Sequence, residues 1–190
     1  MKSKLLLATA GVCAALIGAG CTSTTSAGVG QDPAAERRAL SANVDGALTK
    51  LQAQAPDSAK LLSNARGVLV FPRVLSAGLG VGGSYGKGEL RVNNQTVDYY
   101  STAAASVGLL AGGDSKAVYI LFMTDEALQK FRDSKGWTVG ADASVSLAKA
   151  GVYTGVDTQT IKEPVVGYVL TNAGAMVNIS IDGTKITKIS

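Results

Sequence analysis

Histidine is the most informative absence from this 190-residue sequence, which contains none. Its absence excludes histidine general acid–base catalysis, Ser-His-Asp triads and histidine metal sites. Cysteine is nearly as scarce, with Cys13 and Cys21 alone. We expect Cys13 to be removed and Cys21 to be modified, so the mature domain has neither zinc-binding thiols nor a disulfide and depends on a packed core. Catalysis would then need carboxylate pairs, lysine or tyrosine bases, or a hard-metal site.

Residues 1–20 have the pattern of a signal peptide. Lys2 and Lys4 precede an uncharged apolar stretch over residues 5–17, which is shorter than the roughly 20 residues needed to span a bilayer. Small residues follow this stretch, as they do at signal-peptide cleavage sites. Removal of the two lysines leaves 16 basic residues against 14 acidic ones, a net charge of +2. This charge gives no support to nucleic-acid binding but is compatible with contact to anionic lipid.

The end of this segment, Ile17-Gly18-Ala19-Gly20-Cys21, resembles the lipobox of bacterial lipoproteins. The resemblance implies that a lipid is attached to the Cys21 thiol and that the chain is cut just before it. Thr22, rather than aspartate, implies sorting to the outer membrane. The alternative is an ordinary signal peptide cut near Ala19, which would leave Cys21 as a free thiol.

The mature chain is predicted to consist of a flexible tether over residues 21–31 and one domain over residues 32–190, because the tether is rich in Ser, Thr and Gly and carries no charge. Asp32 followed by Pro33 predicts a helix start. Apolar residues then recur at helical spacing, and Pro56-Asp57 separates this helix from a shorter one. The predicted stripe of the first helix is Leu40, Val44, Ala47, Leu48 and Leu51.

The remainder of the chain predicts strands in antiparallel succession and one inserted helix. Strands are expected over residues 67–71, 78–92, 97–111, 118–123, 137–147, 165–170, 177–181 and 184–189, and the helix over residues 124–131. Turns are expected at Asn93-Asn94, at residues 112–114, at residues 172–174 and at Asp182-Gly183. The predicted fold is α+β, a mainly antiparallel, curved or barrel-like sheet with two N-terminal helices and one short inserted helix.

Glycine or serine occupies every even position from Gly78 to Gly88, which leaves one face of that strand nearly bare. We interpret this face as a place where the sheet bends or another group approaches the backbone closely. A phosphate-binding loop is disfavoured because no helix and no Gly-Lys-Ser/Thr motif follows. Whether the bare face lines a cavity or packs on a helix is left open.

Neither the acidic nor the basic residues define an active site. Asp114, Asp125, Glu126 and Asp133 are spread over loops and a helix N-terminus, so a catalytic carboxylate pair lacks support. Solubility is the simplest interpretation of the basic residues, and contact with anionic lipid headgroups is the alternative. The candidate lipid-binding residues are Arg37, Arg38, Lys50, Lys60, Arg66 and Arg73.

Several separated motifs resemble the SYLF domain family over roughly residues 34–188. They include residues 64–72 (Asn-Ala-Arg-Gly-Val-Leu-Val-Phe-Pro), residues 77–83, residues 85–88 and residues 137–140 (Trp-Thr-Val-Gly). The resemblance implies a non-enzymatic module that binds phosphoinositide-type or other anionic phospholipids through a basic, amphipathic N-terminal segment, here residues 33–54. We therefore expect an envelope lipoprotein without a cofactor, with membrane phospholipids as partners and without actin binding. The alternative is a structural lipoprotein that docks a protein partner through its sheet.

Overall fold

A computed structural model describes residues 32–148, 163–171, 174–175 and 181–189, with the backbone alone described for 80, 106–112 and 174–175. The predicted signal peptide, Cys21, the tether, Asn172-Ala173 and the strand over 177–180 lie outside the described residues. Within the described part of the chain, no helix is both long enough and apolar enough to cross a membrane.

Three helices begin where the capping residues predict. Helix α1 spans Pro33–Gln54, and the Asp32 side chain accepts a hydrogen bond from the Ala34 amide. Helix α2 spans Ser58–Asn64 after the predicted break. Helix α3 spans Asp125–Asp133 and is capped by the Thr124 hydroxyl, which accepts from the Ala127 amide.

The strands form a strongly curled, mostly antiparallel sheet, so the predicted α+β fold class is confirmed. The hairpin of β1 and β2 carries the rest of the sheet: β5 and β7 pair with different segments of β2, and β4 lies parallel to β5. The described strands are β1 (Gly67–Val92), β2 (Gln95–Phe122), β3 (Trp137–Thr138), β4 (Ser146–Leu147), β5 (Val165–Thr171), β6 (Gly174–Ala175) and β7 (Lys185–Ile189).

The four strands predicted over residues 67–123 are two long strands joined by one turn. Asn93 and Asn94 both adopt positive φ, 51° and 62°, as the predicted two-residue hairpin turn requires. The predicted turn at residues 112–114 is wrong. These residues continue β2 and pair with residues 76–78 of β1, because glycine on both strands lets the ladder bend without ending.

Strand β1 curls until its second half touches its first half. A Cβ atom at position 88 would lie 2.3 Å from the Val70 carbonyl oxygen and 2.6 Å from the Phe71 ring, and one at position 86 would lie 2.7 Å from the Arg73 carbonyl oxygen. The bare face predicted from the glycine spacing is therefore used for close packing of the strand on itself.

The sheet is buried on both faces where β2 and β5 pair. Alternate side chains of β2 point to opposite sides, with Tyr119 and Leu121 facing α1 and α2, and Ile120 and Phe122 facing α3. Trp137 lies in the core cluster on the α3 side of the sheet, with its ring centroid 5.4 Å from that of Phe131. Most of the predicted stripe of α1 packs in the core cluster on the opposite face of the sheet, where Val44, Ala47 and Leu51 are buried.

The continuous strand predicted over residues 137–147 is wrong. Only β3 and β4 at its ends are strands, and a turn separates them. Gly140 adopts a φ of 86°, and the Asp142 carboxylate accepts a 2.6 Å hydrogen bond from the Thr138 amide. A hydrogen bond from the backbone to the Asp142 side chain and a left-handed glycine outweigh the alternating pattern here.

Polar contacts fix α1 to the hairpin. The fully buried Glu89 carboxylate accepts from the Ser41 hydroxyl at 2.7 Å and from Arg91 Nε at 2.6 Å. Arg91 also donates to the Asp45 carboxylate, and the Tyr119 hydroxyl donates to the Ala47 carbonyl. Because a buried carboxylate is costly without partners, this network specifies how α1 sits on β1.

A substitution at Gly88 should destabilise the domain strongly. Gly88→Ala places a methyl group against the Val70 carbonyl and the Phe71 ring, and overpacking of this kind costs about 1–3 kcal/mol or more. Gly83→Ala is the matched control, because its Cβ would meet only the Ala104 carbonyl oxygen at 3.6 Å. Thermal unfolding should show a clear loss of Tm for Gly88→Ala and little change for Gly83→Ala. Equal effects would contradict the self-packing of β1.

Removal of the buried carboxylate should also be costly. Glu89→Ala leaves Arg91 partly buried with only the Asp45 carboxylate, and breaking a buried pair typically costs about 3–5 kcal/mol. Asp45→Ala, at a side chain that is 66% exposed, should cost less than about 1 kcal/mol. Chemical denaturation of both variants measures the difference. Similar free energies of unfolding would show that the network does not hold α1.

Three tyrosines should make stability fall at high pH. Burial raises the pKa of Tyr100, Tyr119 and Tyr168 to about 12 from an unfolded value of 10.0. Their contribution is complete below the unfolded pKa and is lost as pH rises through the folded pKa. The free energy of unfolding should therefore decline between about pH 10 and 12. In the native protein, tyrosinate absorbance should appear at a higher pH than in protein unfolded by denaturant. Coincident titrations in native and denatured protein would refute this.

Candidate functional site

A basic cleft lies between α1 and the β1–β2 hairpin, with a volume of about 530 Å³. Four cationic side chains line it, and no carboxylate is among its lining residues. The apolar part of its wall comes from the helix stripe and the adjoining strands. We call this surface the basic cleft; its cationic residues are Lys50, Arg73, Lys87 and Lys116.

The curl of β1 brings two of these cations to one place. Arg73 and Lys87 are 14 positions apart in sequence, yet position 86 packs directly on the Arg73 carbonyl oxygen. Lys116 lies on β2 opposite Val74, next to Arg73. Lys50 comes from α1, whose placement is fixed by Val44, Ala47 and Leu51 in the core.

One of the four cations has an acidic partner outside the cleft wall. Lys87 Nζ lies 2.5 Å from a Glu36 carboxylate oxygen, and this hydrogen bond raises the pKa of Lys87. Both side chains are about 40% exposed, so the pair contributes little to stability. Since Lys87 stays protonated, the cleft keeps its positive charge across the physiological pH range.

The chemistry of the cleft suits an anion with several oxygen atoms. Ammonium groups and a guanidinium group form charge-assisted hydrogen bonds with phosphate oxygens, and Arg73 can do so in bidentate fashion. Asn43 and Ser115 add polar atoms to the wall. The lining of the cleft therefore has the composition of an anion-binding surface.

The structure brings only part of the predicted lipid-binding set together. Lys50 and Arg73 share the basic cleft. Arg37 and Arg38 are exposed near the start of α1, where Arg37 lies 5.0 Å from the centre of the Tyr99 ring and Arg38 pairs with Asp32.

The other two candidates lie elsewhere. Lys60 is exposed on α2. Arg66 pairs with Asp125 at the start of α3, 3.5 Å away. Neither residue lines the cleft, so the two serve as a comparison pair of equal charge.

The first helix cannot offer its apolar stripe to a membrane. Val44, Ala47 and Leu51 are buried against the sheet in this structure. Insertion of the apolar side of α1 into a membrane would require these residues to leave the core. Any membrane contact of α1 in this fold therefore uses its exposed polar face.

Two cleft residues, Lys87 and Lys116, were not among the predicted site residues. Lys116 was missed because residues 112–114 were interpreted as a turn, which separated it from β1. The Asn93-Asn94 turn contained the missing signal. If the strands on both sides of that turn are extended as one hairpin, residue 116 falls opposite the region of Arg73.

A second cavity, of about 400 Å³, lies inside the curl. Ser84, Thr102, Asp114 and several core residues line it. Among the residues of the bare face of β1, Ser84 lines this cavity, whereas Gly86 and Gly88 pack on the first half of β1. Packing on a helix, one of the two alternatives, is thus not the role of these glycines.

The acidic residues do not assemble into a site in the described part of the chain. Asp125 pairs with Arg66, and Asp133 accepts hydrogen bonds from Gln129. Among the residues whose placement is known, no cluster of three carboxylate or thiol groups could hold a metal ion. Asp142 is exposed, as predicted, and caps a turn.

Residues 103–189 match the protein family described as Ysc84, Las17-binding protein actin regulator. This match confirms the resemblance to the SYLF domain family over that part of the chain. The matched residues include Lys116 of the basic cleft and most of the curled sheet. No curated protein matches the chain. The family is associated with binding lipids and partner proteins.

Proposed function

We propose that this chain is a non-enzymatic envelope lipoprotein whose SYLF-type domain binds the headgroups of anionic phospholipids. The observation that carries this proposal is the basic cleft, in which four cations from α1, β1 and β2 line one surface without a carboxylate. Headgroup phosphate, including that of phosphoinositides, is the ligand class that such a surface favours.

A membrane anchor would make a weak headgroup contact sufficient. A lipid on Cys21 would hold the domain close to the bilayer through a tether of about ten residues, which raises the effective concentration of headgroups at the cleft. The resemblance of residues 17–21 to a lipobox, followed by Thr22 rather than aspartate, supports the outer membrane as its location. Arg37 and Arg38, both exposed on α1, would extend the positive surface beyond the cleft.

Docking of a protein partner is the second candidate. Within the described residues, β1 pairs with β2 and with no other strand, so one of its edges is available for strand addition. The name of the matched family refers to a protein-binding actin regulator. We do not extend actin binding to this chain, because actin is not expected in a bacterial envelope.

Vesicle binding tests the lipid proposal directly. The mature chain from residue 21, carrying Cys21→Ser so that no acyl chain is attached, should co-sediment with phosphatidylglycerol vesicles and not with phosphatidylcholine vesicles. Because each cation near the surface contributes about 1 kcal/mol, Lys50→Gln with Arg73→Gln should weaken binding about 30-fold. Binding should also fall steeply with salt.

A variant of equal charge provides the control. Lys60→Gln with Arg66→Gln removes the same two charges from positions outside the cleft, and should bind almost as well as the parent chain. Arg37→Gln with Arg38→Gln should give an intermediate loss. Equal losses of binding for the cleft pair and the Lys60/Arg66 pair would show that binding depends on net charge alone and not on the cleft. No binding to either vesicle would favour the protein-docking alternative.

A further inference from the structure

A row of large apolar side chains is exposed on the outside of the hairpin bend. Leu75, Leu79, Val81 and Tyr85 are 57%, 84%, 69% and 52% exposed. We call these four residues the apolar ridge. Exposed apolar residues that cluster in this way mark an interaction surface more often than isolated ones do.

Charge is absent from the ridge and present around it. Strand β1 has no charged residue between Arg73 and Lys87, a stretch that contains the whole ridge. On β2, the residues paired with Leu75 and Tyr85 are the small Ser115 and Ala103, which leave the ridge uncovered within the described part of the chain.

The polar groups of this bend face the opposite way. Ser76, Ser84 and Asp114 line the cavity inside the curl, while the ridge residues face outward. Apolar core residues also line that cavity, so the ridge is a second apolar surface that lies outside the core. Such an exposed apolar surface indicates that the outer face of the bend has an apolar partner.

The ridge begins and ends at the basic cleft. Its two flanking residues, Arg73 and Lys87, both line the cleft, and the contact of position 86 with the Arg73 carbonyl oxygen closes the base of the bend. Tyr85 and Lys87 also point to the same side of β1, since side chains two apart share a face. Cations therefore border the apolar ridge at its base.

We propose that the apolar ridge inserts into the boundary between headgroups and acyl chains of an anionic bilayer while the basic cleft holds a headgroup. The inference rests on the proposed lipid-binding function and adds the surface that enters the membrane. A bilayer fits because it supplies both required complements in order of depth, phosphate at the level of the cleft and hydrocarbon at the level of the ridge.

An environment-sensitive probe on the ridge tests insertion. All the described core packing lies within residues 32–190, and the mature chain with Cys21→Ser has no cysteine. Leu79→Cys in that chain can therefore be labelled uniquely with the fluorophore NBD. On phosphatidylglycerol vesicles its emission should shift to the blue and gain intensity. The same label at Gln52→Cys, an exposed position on α1, should report water throughout.

A neutral double variant measures the contribution of the ridge. Leu79→Thr with Val81→Thr keeps the net charge and places β-branched threonine, which suits a strand, at both positions. This variant should lower partitioning into phosphatidylglycerol vesicles at least about tenfold. Val97→Thr with Leu147→Thr is the matched control, because both residues are exposed apolar positions outside the ridge. This control should bind like the parent chain, and all variants should keep the parent Tm.

The outcomes separate this inference from the proposed function. If the parent chain does not bind phosphatidylglycerol vesicles, both fail. If it binds, depends on Lys50 and Arg73, and yet is unaffected by the ridge variant, with the probe at position 79 still in water, only insertion is overturned. A probe that shifts with protein concentration in the absence of vesicles, with a dimer lost in the ridge variant, would assign the ridge to a second copy of this chain and overturn insertion.

Discussion

The close packing of β1 on itself is the constraint on which the other features depend. At Gly86 and Gly88, the second half of the strand lies against the carbonyl groups of Val70 and Arg73, where a side chain has no room. This contact bends the hairpin, encloses the inner cavity and turns the apolar ridge outward. It also brings Lys87 beside Arg73, so the basic cleft is a consequence of backbone packing rather than of a local motif.

Helix α1 completes the cleft, and its position is fixed from two sides. Apolar packing of Val44, Ala47 and Leu51 on the sheet sets its distance, while the buried Glu89 carboxylate, through Ser41 and Arg91, sets its rotation and register. The apolar stripe is fully used in this role. What α1 adds to the basic cleft is therefore Lys50, held at a fixed spacing from β1.

Local signals predicted much of the fold. Asp32, Thr124 and the Asn93-Asn94 turn act through short-range hydrogen bonds or dihedral preferences, and each appears where the sequence indicates. Prediction failed where a long-range contact determines the conformation. The glycine pairs at 112–113 resemble a turn, but their pairing with β1 extends the strand. The same error hid Lys116. Lys50 and Arg73 could therefore be named from the sequence, whereas Lys116 required the hairpin register and Lys87 required the curl of β1.

The contact between position 86 and Arg73 separates the base of the bend from its tip. Matched additions or deletions of two residues on β1 and β2, within the stretch between Arg73 and Lys87 and its partner on β2, would preserve the alternation of faces. Such changes would alter the height of the protrusion while the cations at its base stayed in place. The bend is thus a spacer whose length can change without moving the cations at its base.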